Sequence, residues 1–318
     1  MLWAAATGAS IALLAFVVAQ VDWDAARDLV HAIDYRWVLV GIAALLAEGV
    51  VTAARFRLLA RGGATLRDCF LATAWYVVML MGLPARLGEV AGIAVIVRTM
   101  QQPAGIAAAS LLFQRVFDMF VLAALLTLIA MLALGGAQSS MVALAGIGLV
   151  VVLAALLILL EPLLACVARV LRDHRHDQWR GRLLRLVLQA RMFSRHHMTR
   201  ERVVGLGALT LLKWTMNLTG IALVVVAVVP GIPVPTALGL GIVYNLSAVI
   251  PIQTVGGFGI SEAVLLGSFK WLGYAVGIGA PIAIAIRLAL ISAPVLFWIL
   301  VMSLTTLTRA RPVPRRTV

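Results

Sequence analysis

Nine ionisable side chains interrupt stretches that are otherwise apolar: Glu48, Arg86, Glu89, Arg115, Asp118, Lys213, Glu262, Lys270 and Arg287. Part of this set recurs. Pro84-Ala85-Arg86-Leu87-Gly88-Glu89 is followed by Arg115, 26 residues beyond the glutamate; a run from Pro251 to Gly259 leads to Glu262 and, 25 residues on, to Arg287. The two copies are offset by 167 residues for the prolines, 173 for the glutamates and 172 for the arginines. A guanidinium binds phosphate in a two-pronged geometry and keeps its charge away from water. Arg86, Arg115 and Arg287 are therefore candidates for holding an anionic headgroup, and Glu89 and Glu262 for orienting it or carrying a proton. The structural alternative is that the glutamates accept bonds from helix ends and the arginines neutralise them. Arg115 and Asp118 stand three apart on one helix face and are expected to pair locally; Asp118 is a further candidate for substrate binding or coupling. Lys213 and Lys270 are expected to reach toward segment ends. Pro84 and Pro251 each remove a helix donor, and Gly88, Gly256, Gly257 and Gly259 permit close backbone approach, so both places read as breaks.

The elements that hold these charges follow from composition. The chain has 318 residues, 63% apolar and 12% charged, where a soluble domain carries about 45–50% and about 25%. That excludes a soluble enzyme, a disulfide scaffold and a disordered regulator. Apolar runs of about 20 residues are long enough to cross the hydrocarbon core, so the fold class is an all-α polytopic membrane protein. The histidines (His31, His174, His176, His196 and His197) fall between the apolar runs, and Cys69 and Cys166 are far apart. No catalytic residue, metal site or cofactor is expected, and the protein is not expected to be an enzyme.

Six full spans are expected, at about 3–20 (an uncleaved anchor), 37–60, 104–134, 141–160, 203–229 and 275–308, with Glu161-Pro162 closing the fourth. Segments 69–97 and 236–268 are apolar but broken, and are read as re-entrant. The net charge is +13, and residues 169–202 hold ten arginines against Asp173, Asp177 and Glu201. Basic loops mark the cytoplasmic side and are attracted to anionic headgroups; nucleic acid is not the expected partner. The acidic 21–36 loop then lies outside, both termini are cytoplasmic, and residues 180–192 form a helix along the headgroups. Two complete spans per broken segment would give the same sidedness. The chain divides into a first repeat at 37–160, a basic cytoplasmic loop at 169–202 and a second repeat at 203–308. Opposite entry sides make the repeats inverted, an arrangement that places substrates at broken helices near the midplane.

Four stretches resemble a known family: Arg55-Phe-Arg-Leu-Leu, Leu83-Pro-Ala-Arg-Leu-Gly-Glu89, Gln114-Arg-Val-Phe-Asp118 and Gly256-Gly-Phe-Gly-Ile-Ser-Glu262. They are similar to the flippase-like membrane domain of lysylphosphatidylglycerol synthases and their stand-alone relatives, over about 50–310. The sequence departs from that pattern at Ala85 and Val255, in place of glycine and proline, and in the apolar stretch 77–81. The resemblance implies a lipid translocase that moves a phospholipid, aminoacylated lipid or lipid-linked saccharide across a bacterial inner membrane. No stretch reads as the soluble aminoacyl-transfer domain, so lysyl transfer is not expected. Membrane lipids with anionic headgroups are the expected partners. An ion-coupled carrier of a small anionic solute, or a non-transporting partner of a lipid-modifying enzyme, are the alternatives.

Overall fold

A computed structural model of the chain describes residues 21–83, 87–133, 136–172, 178–247 and 259–309, with 15–16 and 18–19. Pro84, Arg86, Pro251, Gly256 and Gly257, and most of the expected span at 3–20, lie outside the described residues. Eleven helices follow from Trp23 onward. They are α1 (Trp23–Ala32), α2 (Tyr35–Leu59), α3 (Leu66–Gly82), α4 (Leu87–Met100), α5 (Ala104–Ala133), α6 (Gly136–Arg172), α7 (Gln178–His196), α8 (Arg200–Val228), α9 (Val234–Ser247), α10 (Ile260–Trp271) and α11 (Val276–Arg309). Among the described residues there is no strand.

Local chemistry sets several of the starts. Asp22 accepts from the amides of Asp24 and Ala25 and so begins α1; Asp34 accepts from Arg36 and begins α2. Two acids of the expected 21–36 loop are thus helix caps, and that segment is largely helical. Thr65 and Asp68 form a reciprocal capping box at the head of α3. The expected stop at Glu161-Pro162 is not a stop. Instead α6 bends by 48° at 157–158 and continues to Arg172; Pro162 has no amide to offer the carbonyl four residues back, and its ring crowds it.

Among the described residues, four helices (α2, α5, α8 and α11) are long and apolar enough to cross a membrane, and the bent α6 makes five. Large apolar side chains such as Leu39, Val50, Val151, Leu288 and Leu304 point outward, which water would not tolerate over so much surface. This is a multi-pass membrane protein.

Helices α2 to α5 and α8 to α11 share one order: long, short, short, long. The long α2 and α8 lie against each other and run antiparallel. The Asp34 amide donates to Ala227 at one end, Glu48 meets Asn217 midway, and Leu58 touches Gly205 at the other. Their backbones approach so closely that a Cβ on Gly41 would sit 2.8 Å from the Gly220 carbonyl oxygen. Each half has its own apolar core, one around Phe56, Cys69, Ile96 and Leu111, the other around Val225, Leu265, Phe269 and Ile286. The last helix of each half then crosses into the other. Phe297 and Val301 of α11 pack on Ala74 of α3, while Val121 and Leu122 of α5 pack on Trp214 of α8 and Ile242 of α9.

The two ends of the bundle differ in charge. One gathers Arg61, tied to Gln102 through two backbone hydrogen bonds, Arg67 on the Thr305 carbonyl, and the arginine-rich α7. The opposite end carries Asp22, Asp24, Asp28 and Asp34 on and beside α1. Both α3 and α4 meet the basic end, whereas α9 and α10 meet the acidic one, where Ile232, Ala237 and Phe269 pack with Leu29 and Ile33.

Candidate functional site

Three polar groupings lie inside this apolar frame. In the first half, Arg115 on α5 donates to the Tyr76 hydroxyl on α3 at 3.0 Å and pairs with Glu89 on α4 at 3.2 Å. The second half repeats the combination. Arg287 on α11 pairs with Glu262 on α10 at 3.3 Å and donates to the Tyr244 hydroxyl on α9. Each grouping draws one residue from each arm of a broken hairpin and one from the long helix that follows.

Their surroundings differ. The Arg115 and Glu89 side chains are 36% and 38% exposed, whereas those of Arg287 and Glu262 are 7% and 1% exposed. Glu262 also serves its own helix, because its carboxylate accepts the Gly259 amide at 2.7 Å and so caps α10. Gly259 itself has φ +88°, a conformation open to glycine. Gly88 does something else. A Cβ there would sit 2.5 Å from the Met79 carbonyl oxygen, so glycine is what lets α4 fold back on α3.

The third grouping lies between the halves. Asp118 on α5 pairs with Arg55 on α2 at 3.0 Å and with Lys213 on α8 at 3.5 Å, and accepts from the Trp214 indole at 3.0 Å. Lys213 also faces Glu48 on α2 at 3.8 Å and lies 4.0 Å from the centre of the Trp214 ring. Asn217 donates to Glu48 at 2.9 Å and accepts from Asn245 of α9 at 2.8 Å. Two cations meet two anions here, which is how charge persists at bilayer depth.

Two expectations are corrected. Asp118 pairs across the bundle with Arg55 instead of with Arg115 on its own helix, because Glu89 and Tyr76 already hold the Arg115 guanidinium. Lys213 does not reach toward a segment end. It stands 13 residues into α8, about 20 Å along the axis, farther than its side chain extends. Lys270, by contrast, is exposed near the end of α10.

At the basic end, His197 lies in the turn between α7 and α8. Its ring is 3.1 Å from the Leu59 carbonyl oxygen and touches Arg202. Burial, reinforced by the Arg202 charge, pushes its pKa below the ordinary value. Among the described residues no three His, Cys, Asp or Glu side chains come together as metal ligands would.

Residues 3–302 match the family described as the lysylphosphatidylglycerol synthase TM region. The chain belongs to that family. Neither a curated protein nor a solved structure matches it. Membership in the lysylphosphatidylglycerol synthase TM region family gives the protein a membrane, lipid-related role. Within this member, six site residues escaped the sequence reading: Tyr76, Tyr244, Arg55, Trp214, Asn217 and Asn245. The tyrosines carried a signal, since they are 168 residues apart, close to the offset of the glutamates and arginines. Trp214, Asn217 and Asn245 carried none, because their relation depends on which faces of the helices meet; Arg55 opens one of the family-like stretches but was not read as part of the site.

Proposed function

We propose that the protein is a lipid translocase of the bacterial inner membrane, acting by transport and not by catalysis. Its halves form inverted repeats, with α3–α4 and α9–α10 as re-entrant hairpins and the arginine-rich end in the cytoplasm. Helix length supports the re-entrant reading: α9 and α10 have 14 and 12 residues, about 21 and 18 Å, short of the hydrocarbon thickness. Charge segregation supports the orientation.

The observation that carries the function is the unequal exposure of two chemically equal groupings. In the first half the Arg115 side chain is 36% exposed beside Glu89 and Tyr76; in the second, the Arg287 side chain is 7% exposed. A headgroup phosphate takes up the accessible arginine and displaces its carboxylate, while the acyl chains stay in lipid. Closing that half and opening the other passes the headgroup from Arg115 to Arg287. Arg86, beside the first hairpin, is a further contact for the headgroup. Anionic headgroups at the cytoplasmic surface, attracted by α7, supply the substrate side.

Reconstitution tests this. Vesicles holding the protein and a fluorescent phospholipid should lose inner-leaflet protection from a membrane-impermeant quencher, and Arg115→Met should abolish that loss while leaving the melting temperature nearly unchanged. Lipids that stay in their leaflet under every pH gradient, with folded protein present, refute the reading. For orientation, a cysteine at Val234 should label from outside and one at Glu201 from the cytoplasm, in a Cys166→Ser background.

A further inference from the structure

The grouping between the halves contains two carboxylates, and the structure treats them differently. Asp118 is the partner of three donors: Arg55, Lys213 and the Trp214 indole. Its side chain is 5% exposed, and that of Arg55 is 1% exposed. Neutralising Asp118 would leave a buried guanidinium without its counter-charge, the most expensive kind of loss in an apolar interior.

Glu48 is held more loosely. Its ionic partner, Lys213, is 3.8 Å away, beyond hydrogen-bond length, and is nearer to Asp118. Its hydrogen-bond donor is the Asn217 amide, whose direction is fixed from behind. Asn245 donates to the Asn217 carbonyl oxygen and is itself close to the Gly241 carbonyl oxygen. Asn217 must therefore offer its NH2 group to Glu48. A neutral carboxyl still accepts that bond through its carbonyl oxygen, more weakly than a carboxylate does. If Glu48 gains a proton, Asn217 keeps an acceptor, and Lys213 keeps Asp118 and the Trp214 face. No donor already present is stranded, and the new O–H lies on the more exposed of the two carboxylates. The Glu48 side chain is also 21% exposed, the most of the four charged groups in this grouping.

The remaining carboxylates of the interior lack this combination. Neutral Glu262 would weaken the cap on the Gly259 amide and expose the buried Arg287 charge. Glu89 lies wholly within the first half, as Glu262 lies within the second. Glu48 differs in place: it sits on α2 and meets Lys213 and Asn217 of α8, so its ion pair crosses the seam between the halves. The charged groups that face it are Lys213 from α8, Asp118 from α5 and Arg55 from its own helix; α9 contributes the uncharged Asn245.

We infer that Glu48 is a proton-binding site set in the seam between the two halves, and that a proton taken up there leaves Lys213 wholly to Asp118 and removes an ionic tie between α2 and α8. The proton comes from water and binds a carboxylate oxygen, and no other bond changes. This rests on the transport reading for its use: the seam is what two halves must loosen to exchange open and closed states.

An apolar carbodiimide, which reacts with protonated carboxyl groups in apolar surroundings, tests the site in the intact wild-type protein. After treatment of proteoliposomes at about pH 6 and about pH 9, mass spectrometry should find the adduct on Glu48. It should be at least about fivefold more abundant at the lower pH, since above its midpoint a protonated fraction falls about tenfold per pH unit. Asp118 should stay unmodified at both. Glu48→Gln imitates the protonated state; it should fold with a melting temperature near wild type and, where lipid moves, remove the pH dependence of that movement. No adduct on Glu48, equal adduct at both pH values, equal modification of Asp118, or a Glu48→Gln protein that does not fold would each overturn the inference. The translocase reading fails separately. A pH-dependent adduct in vesicles whose lipids never exchange leaves the proton site standing and removes the lipid function.

Discussion

The two hairpins carry the same three side chains and use them under opposite conditions. Around Arg115, both side chains of the ion pair are more than a third exposed. Around Arg287, the pair is enclosed and Glu262 also caps α10. Equal sequence spacing therefore does not mean equal energetics. An exposed ion pair is worth about 0–1 kcal/mol, whereas breaking a buried one by removing a partner costs about 3–5 kcal/mol.

The sharpest way to break this comparison is to neutralise the two glutamates in turn. Glu262→Gln should lower stability by about 3–5 kcal/mol, visible as poor yield and a large fall in melting temperature, with partial recovery on adding Arg287→Met. Glu89→Gln should stay within about 1 kcal/mol of wild type and lose lipid movement instead. Equal falls in stability would erase the distinction between the hairpins.

A substitution common to both halves gives the reference. Gly41→Ala pushes a methyl into the Gly220 backbone, and overpacking of this kind costs about 1–3 kcal/mol. Thermal unfolding in detergent should then show a loss below that of Glu262→Gln.

The tyrosines should separate the hairpins less widely. Tyr244→Phe removes a hydroxyl from the enclosed Arg287, a bond to a charged group worth about 1.5–3 kcal/mol; Tyr76 is itself buried, but Arg115 is partly exposed and keeps Glu89, so the loss for Tyr76→Phe should fall at the low end of that range. Circular-dichroism melting curves of the two variants would rank them.

The smallest effect lies at the basic end, outside both hairpins. The His197 pKa is lower folded than unfolded, so the unfolded chain binds more protons, and its contribution is complete above about pH 6.5 and shrinks as pH falls below that. Melting temperature should drop slightly over that interval in wild type. His197→Gln should flatten that part of the profile while leaving the behaviour of both hairpins unchanged.

Sequence spacing reached the glutamates, the arginines and the broken segments because each stands out against apolar neighbours. It missed Arg55 for a geometric reason. Four residues from the end of α2, it reads as an interfacial charge, yet side chains on a helix lean toward its N-terminus, which for α2 is the acidic end. The guanidinium therefore points inward to Asp118. Lys213 was misplaced because hydropathy says that a helix is apolar without saying which stripe faces another helix. The α2–α8 seam pairs residues such as Glu48 and Asn217, 169 apart in sequence, and no local pattern announces it.

Among the described residues, the bent α6 has no counterpart in the second half. The first half begins and finishes at the acidic end, because α2 leads to the basic end, the α3–α4 hairpin returns there, and α5 leads back. A second copy joined directly would begin at that same end and run parallel to the first. By carrying the chain to the basic end before α8 starts, α6 reverses the copy that follows. If the halves descend from one duplicated ancestral unit, that helix is what allowed two units of like design to be encoded head to tail and still face opposite ways.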